Sequence, residues 1–141
     1  MSGLSAMTEV VSRQKSDKSK PKTPTKTQLL KKCDATFSKI IRSRGCCEIC
    51  GSTEALQCAH GFSRRYRATR YEAQQCWCLC RGCHYRFTVR PLHWDEWMRE
   101  RMGPDLYHDM RIEALIGPNP DLTETLARLR AELDLIESEI A

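Results

Sequence analysis

Two Cys-x2-Cys pairs, Cys47-Glu48-Ile49-Cys50 and Cys80-Arg81-Gly82-Cys83, constrain this chain more than any other feature. A two-residue spacer lets both thiolates of a pair turn onto one ion, and two pairs supply the four ligands of a closed tetrahedral zinc site. Gly51, directly after the first pair, permits the tight turn of a zinc knuckle. Cys47, Cys50, Cys80 and Cys83 are therefore the expected ligands of a structural Zn2+. Disulfides are the poorer reading. The nine cysteines are odd in number, Cys46 and Cys47 are adjacent, and the opening MSGLSAMTEVVSRQK lacks the basic and apolar regions of a secretory leader. Cys46 could stand in for Cys47, and Cys76 or Cys78 for a knuckle ligand, but neither exchange keeps both pairs. Cys46, Cys58, Cys76 and Cys78 are expected to be packing thiols.

A chain of 141 residues with 40% apolar side chains supports one small domain. A structural zinc site can contribute on the order of 10 kcal/mol to folding, which matters for so small a core. The longest apolar run, Cys76 to Cys80, is far below the roughly 20 residues that a membrane span needs. No membrane contact is expected, and the compartment is expected to be the cytoplasm.

The net charge of +5 conceals a polarity. Residues 1–32 hold eight Lys/Arg against two Asp/Glu, residues 33–103 twelve against seven, and residues 104–141 three against nine, giving +6, +5 and −6. A basic front and middle joined to an acidic tail point to a polyanionic partner, with nucleic acid the obvious one. Within the first 28 residues, SRQKSDKSKPKTPTKTQ is rich in Lys, Ser, Thr and Pro with almost nothing to bury. Residues 1–28 read as a disordered basic arm, either solubilising or touching phosphates without sequence preference.

Helical periodicity follows. Leu29, Leu30, Cys33, Phe37, Ile40 and Ile41 form an apolar stripe, with Lys31, Lys32, Lys39, Arg42 and Arg44 on the other faces and Gly45 as the stop. Trp94, Trp97, Met98 and Met102 predict a second helix stopped by Gly103-Pro104. Leu106, Tyr107, Met110, Ala114 and Leu115 predict a third, ended by Gly117-Pro118. In the last segment, residues 118–141, Leu122, Leu126, Leu129, Leu133, Ile136 and Ile140 are spaced 4, 3, 4, 3, 4 behind Asp121 and Glu124, an N-cap and its capping partner. This heptad seam serves either to pack on the chain's own domain or to form a homodimer. In a parallel pair Glu132 would face the partner's Glu137, which disfavours that arrangement.

Between the zinc pairs stand 29 residues, more than the 15 to 20 or so of a simple ribbon. The insert contains a short strand-like segment ending at His60, followed by Arg64, Arg65, Arg67 and Arg70. Four arginines in seven residues read as a phosphate-binding cluster, or more blandly as a solvated basic loop.

A cysteine knuckle, a strand ending in His, a loop, and a helix opened by Cys80-Arg81-Gly82-Cys83-His84 resemble the treble-clef form of the HNH (ββα-metal) nucleases. More narrowly, Cys33 to Arg42, Cys47 to Gly51, Leu56-Gln57-Cys58-Ala59-His60-Gly61-Phe62-Ser63-Arg64-Arg65, Ala68-Thr69-Arg70-Tyr71-Glu72 and Cys80 to His84 resemble the phage lambda NinG (Rap) recombination-nuclease family over residues 29–92. The resemblance implies an α+β fold with a small zinc-bound treble-clef core and flanking helices, 29–117. It also implies a metal-dependent endonuclease acting on branched recombination intermediates. It further implies a phage-encoded protein in a bacterial host, or a nucleoid-associated one.

The chemistry has its own case for His60. Phosphodiester hydrolysis needs a base to activate water, and imidazole is suited to that near neutral pH. His84 is the expected ligand of a catalytic Mg2+ or Mn2+ that would polarise the phosphate, with Glu72 as a further donor. Gln75 is expected to orient His60, and Arg64, Arg65, Arg67 and Arg70 to clamp flanking phosphates.

Three positions depart from the wider HNH pattern: Ala59 before the base, Gln75 for Asn, and Thr88 where a second metal-binding His often stands. The second reading is accordingly a non-catalytic zinc-containing DNA-binding protein. A third is an interaction module working through the C-terminal helix.

Overall fold

One antiparallel hairpin lies between two layers of helices. The computed structural model describes residues 22–140 together with Ser12. The order is α1 (Lys26–Arg42), β1 (Leu56–His60), β2 (Cys76–Cys80), α2 (Arg81–Thr88), α3 (Pro91–Met102), α4 (Pro104–Ile116) and α5 (Leu122–Ile140). The α+β class expected from the sequence is the class found. Among the described residues no helix is long and apolar enough to cross a membrane.

The reading of residues 1–28 as a disordered arm lies outside the described residues up to residue 21, apart from Ser12, and is corrected at its end. The first helix begins at Lys26, not Leu29. The cause is a capping box: Gln28 N donates to Thr25 Oγ1 at 3.2 Å, and Thr25 N donates to Gln28 Oε1 at 2.9 Å.

In the hairpin Leu56 pairs with Cys80 and His60 with Cys76. Successive side chains alternate between faces. Cys58, Cys76 and Cys78 meet Cys33, Phe37 and Ile41 of α1 together with Leu126 and Leu129 of α5. Ala59, Trp77 and Leu79 meet Met98 and Tyr107 of α3 and α4. Because both faces are covered, Cys76-Trp77-Cys78-Leu79-Cys80 is apolar throughout. Trp77 sits edge-on to Trp94 and Trp97, which stack on each other at 9° between planes.

The C-terminal helix is not a separate unit. Leu122, Leu126, Leu129, Leu133 and Ile136 lie against the α1 stripe, so most of the seam offered for a homodimer is spent within the chain; Ile140 remains exposed. Asp121 caps α5 by accepting from Glu124 N at 2.9 Å.

β2 has β1 on one side only, and the knuckle covers its other edge. Glu48 N donates to the Cys78 carbonyl at 2.9 Å, and Cys78 N donates to Glu48 Oε2 at 2.7 Å. This exchange docks Cys47–Cys50 beside the strand that leads into Cys80 and Cys83.

Candidate functional site

Cys47, Cys50, Cys80 and Cys83 converge at the end of the hairpin where Leu56 pairs with Cys80, their sulfurs all within 4.8 Å of one another. The cluster can hold a metal ion. Zn–S bonds of about 2.3 Å set tetrahedral sulfurs roughly 3.8 Å apart, and Cys50 Sγ lies 3.6 Å from Cys80 Sγ. Local folding explains the convergence. Gly51 at φ +76° turns the chain, with its N–H on the Cys47 carbonyl at 2.9 Å. Cys80 is the N-cap of α2, accepting at Sγ from Cys83 N at 3.4 Å. Burial pushes the Cys47 thiol up, but N–H donors from Cys50, Cys80 and Ile49 outweigh it and hold Cys47 at about 6. Burial and the three neighbouring thiols push Cys83 up. A divalent ion would replace these shared protons and hold all four as thiolates.

A cleft of about 540 Å3 runs along the free edge of β1 between α1 and α2, from Leu56 at the cysteine end to His60 at the other. Asp34, Ser38 and Arg42 come from α1, Gln57, Cys58 and His60 from β1, His84 from α2, and Arg64 from the intervening loop. A second hollow, lined by Ser63, Phe87, Thr88 and Trp94, shares His60 and His84. The sequence-predicted base and metal ligand therefore border the same space.

Each imidazole has one fixed tautomer. His60 Nε2 lies 2.9 Å from the Arg70 carbonyl, which can only accept, so Nε2 carries the hydrogen and Nδ1 the lone pair. Burial lowers His60 to about 4 against the opposing pull of that carbonyl, with a smaller lowering from the Arg64 charge. His84 Nδ1 donates to Gln57 Oε1 at 2.7 Å, leaving Nε2 free, and burial followed by Arg64 lowers its pKa as well. Both shifts favour the neutral ring. Gly61 follows His60 where the chain passes Gln75 and Trp77 too closely for any side chain: a Cβ there would lie 2.6 Å from the Gln75 carbonyl.

Several expected roles are corrected. Gln75 does not orient His60. It is fully buried, accepts from Phe62 N at 2.7 Å, and donates to the Thr69 carbonyl at 2.7 Å, so it organises the loop, while Arg70 supplies the carbonyl that aligns His60. Arg70 is not a free phosphate clamp, because its guanidinium grips Asp34 at 2.6 and 2.9 Å and also donates to the Arg64 carbonyl.

The remaining arginines do not share one face. Arg64 borders the cleft, Arg65 is exposed over the Tyr66 ring, and Arg67 lines a separate hollow with Lys26 and Asn119. Glu72 lines none of the described hollows at His60 and His84. Thr88 donates its hydroxyl to the His84 carbonyl at 2.9 Å.

Sequence reasoning placed Arg42 on a basic helix face without tying it to the site, and it missed Gln57. The i, i+4 spacing of Asp34, Ser38 and Arg42 was a usable signal for the first, whereas Gln57 needed the strand register. Cys58 packs against the α1 and α5 core, as expected, and also borders the cleft.

Among the described residues Asp34 is the single carboxylate lining the cleft. Burial opposes its ionisation, but bonds from Arg70 and Tyr71 hold its carboxyl below the usual range. No free acid therefore stands beside His84. Imidazole donors suit Mn2+ or Zn2+ better than Mg2+, which favours oxygen ligands.

Comparison with known proteins returned no matching family model, no matching curated protein and no matching solved structure.

Proposed function

We propose that the protein is a zinc-stabilised, metal-dependent DNA endonuclease of the HNH type, with a treble-clef core and a NinG-like preference for branched recombination intermediates. One observation carries the reading: two neutral, tautomer-fixed histidines, His60 and His84, border a single cleft rimmed by Arg42 and Arg64. Backbone phosphates entering the cleft would meet guanidinium groups before they reach the imidazoles.

In the reaction, His60 Nδ1 takes the proton of a water whose oxygen forms a bond to phosphorus as the P–O bond to the leaving oxygen breaks, and solvent protonates that oxygen. The Arg70 carbonyl keeps the ring aligned through Nε2–H. A bound phosphate raises the affinity of the low-pKa imidazole for this proton by opposing the Arg64 charge. His84 Nε2 would hold a divalent ion, whose contribution when bound is to polarise the phosphate. Gln57 keeps His84 in the required tautomer.

The test is cleavage of a labelled four-way junction and a flap by protein loaded with one equivalent of Zn2+, enough for the four cysteines alone, and supplied with Mn2+ or Mg2+. Cutting by wild type, with His60→Ala binding equally well but cutting about 100-fold or more slowly, is the expected result. The second reading, a DNA-binding protein without catalysis, is favoured by the lack of a free carboxylate in the cleft. It wins if both proteins bind and neither cuts with any ion.

A further inference from the structure

We propose a second metal site, formed by Cys58, His60 and Cys76, that takes a thiophilic divalent ion such as Zn2+ in the wall of the cleft. Strand register assembles it. Cys58 and His60 are two apart on one face of β1, and Cys76 is the cross-strand partner of His60. One ligand atom from each lies within 4.8 Å of the other two. Two sulfurs and an imidazole suit Zn2+ and disfavour Mg2+ or Ca2+.

The surroundings support ligation. The Arg70 carbonyl takes the Nε2 hydrogen of His60 and leaves Nδ1 to coordinate, and Gln75 Nε2 donates to Cys76 Sγ at 3.3 Å. Cys58 and His60 border the cleft, which provides access and leaves the fourth position to water or a ligand entering there. Two thiolates with one divalent ion are neutral overall, as fits a half-buried place under α1.

Occupancy would take the same His60 lone pair that activates water, so the ion would inhibit cleavage. That consequence alone rests on the nuclease reading; the binding site does not.

The experiment titrates the full chain, kept reduced, with Co2+ and then Zn2+, following sulfur-to-cobalt charge-transfer absorption and metal stoichiometry. Counting only ions that add sulfur-to-cobalt absorption, which an ion on His84 does not, wild type is expected to bind two equivalents, and Cys58→Ser one, retaining the spectrum of a four-thiolate site. A thermal melt of Cys58→Ser with one equivalent of Zn2+ that matches wild type at the same loading excludes misfolding as the cause, and His60→Ala serves as the second variant, losing the same equivalent. Saturation at one equivalent in wild type overturns the proposal. So does a second sulfur-bound equivalent that survives Cys58→Ser, or a Cys58–Cys76 disulfide under mild oxidation with no second sulfur-bound ion under reduction. None of these outcomes depends on DNA cleavage, so the site and the nuclease reading fail separately.

Discussion

The two ends of the hairpin carry nearly the same chemical groups and use them differently. Where Leu56 meets Cys80, four thiols close on a point, and the knuckle is tied to β2 through Glu48. Where His60 meets Cys76, thiol and imidazole groups border a cleft, and their support comes from the Arg70 main-chain carbonyl and the Gln75 side chain. A closed donor set can serve stability alone, whereas an open one leaves a position for chemistry. On the proposed reading, the contrast assigns folding to one end and chemistry to the other.

The strongest challenge to that division is to remove the closed site. Stripping zinc with a strong chelator, or replacing Cys80 by Ser, is expected to unfold the hairpin and α2, since such an ion can contribute on the order of 10 kcal/mol. Loss of far-UV circular dichroism, restored by Zn2+ in wild type only, is the expected result. A metal-free chain that melted at the same temperature would show that the helical layers suffice.

The closed end was legible in the sequence because all its ligands sit in two local pairs. The helices were legible because their stripes end at Gly103, Gly117 and the start of the knuckle. The open end was legible only in part. His60 stood out, but Cys58 and Cys76 join it through cross-strand register, which no local pattern encodes. Gln75 and Arg70 were assigned to the wrong work for a related reason. The HNH pattern placed Gln75 and the arginine cluster placed Arg70, and neither shows that burial sends Gln75 to the loop backbone or that Asp34, from a helix 36 residues away, captures Arg70.

Gln75→Ala probes the open end next. Phe62 N and the Thr69 carbonyl lose a buried partner, and a cavity remains. The expected cost is about 2–4 kcal/mol in urea denaturation, with zinc retained at the four cysteines. A zinc site that failed together with the loop would show that the two ends fold as one.

Asp34→Asn should cost less, about 1–2 kcal/mol near neutral pH, because the Arg70 pair is partly exposed. Burial resists ionisation of Asp34, and the bonds from Arg70 and Tyr71, helped by the Arg64 charge, overcome it and lower its pKa. Its contribution is therefore complete above the unfolded carboxylate value near 3.9 and fades as pH falls through the lower folded value. Wild type and Asp34→Asn should converge in stability at acid pH. A difference that persisted there would mean that the carboxylate acts through packing.

The smallest effect on folding belongs to the residue expected to matter most for the partner. Arg64 is exposed at the rim of the cleft, so Arg64→Ala should change stability by no more than about 0.5 kcal/mol. If backbone phosphates enter beside His60 and His84, the same substitution should weaken DNA binding and reduce the slope of log affinity against log salt by about 1. Arg67→Ala is the internal control, because Arg67 faces a different hollow beside Lys26 and Asn119. Removing one positive charge changes net charge equally in both variants. Only a bound strand that follows the free edge of β1 makes Arg64 the costlier loss. Equal losses would place the DNA on a diffuse basic surface and detach the cleft from binding.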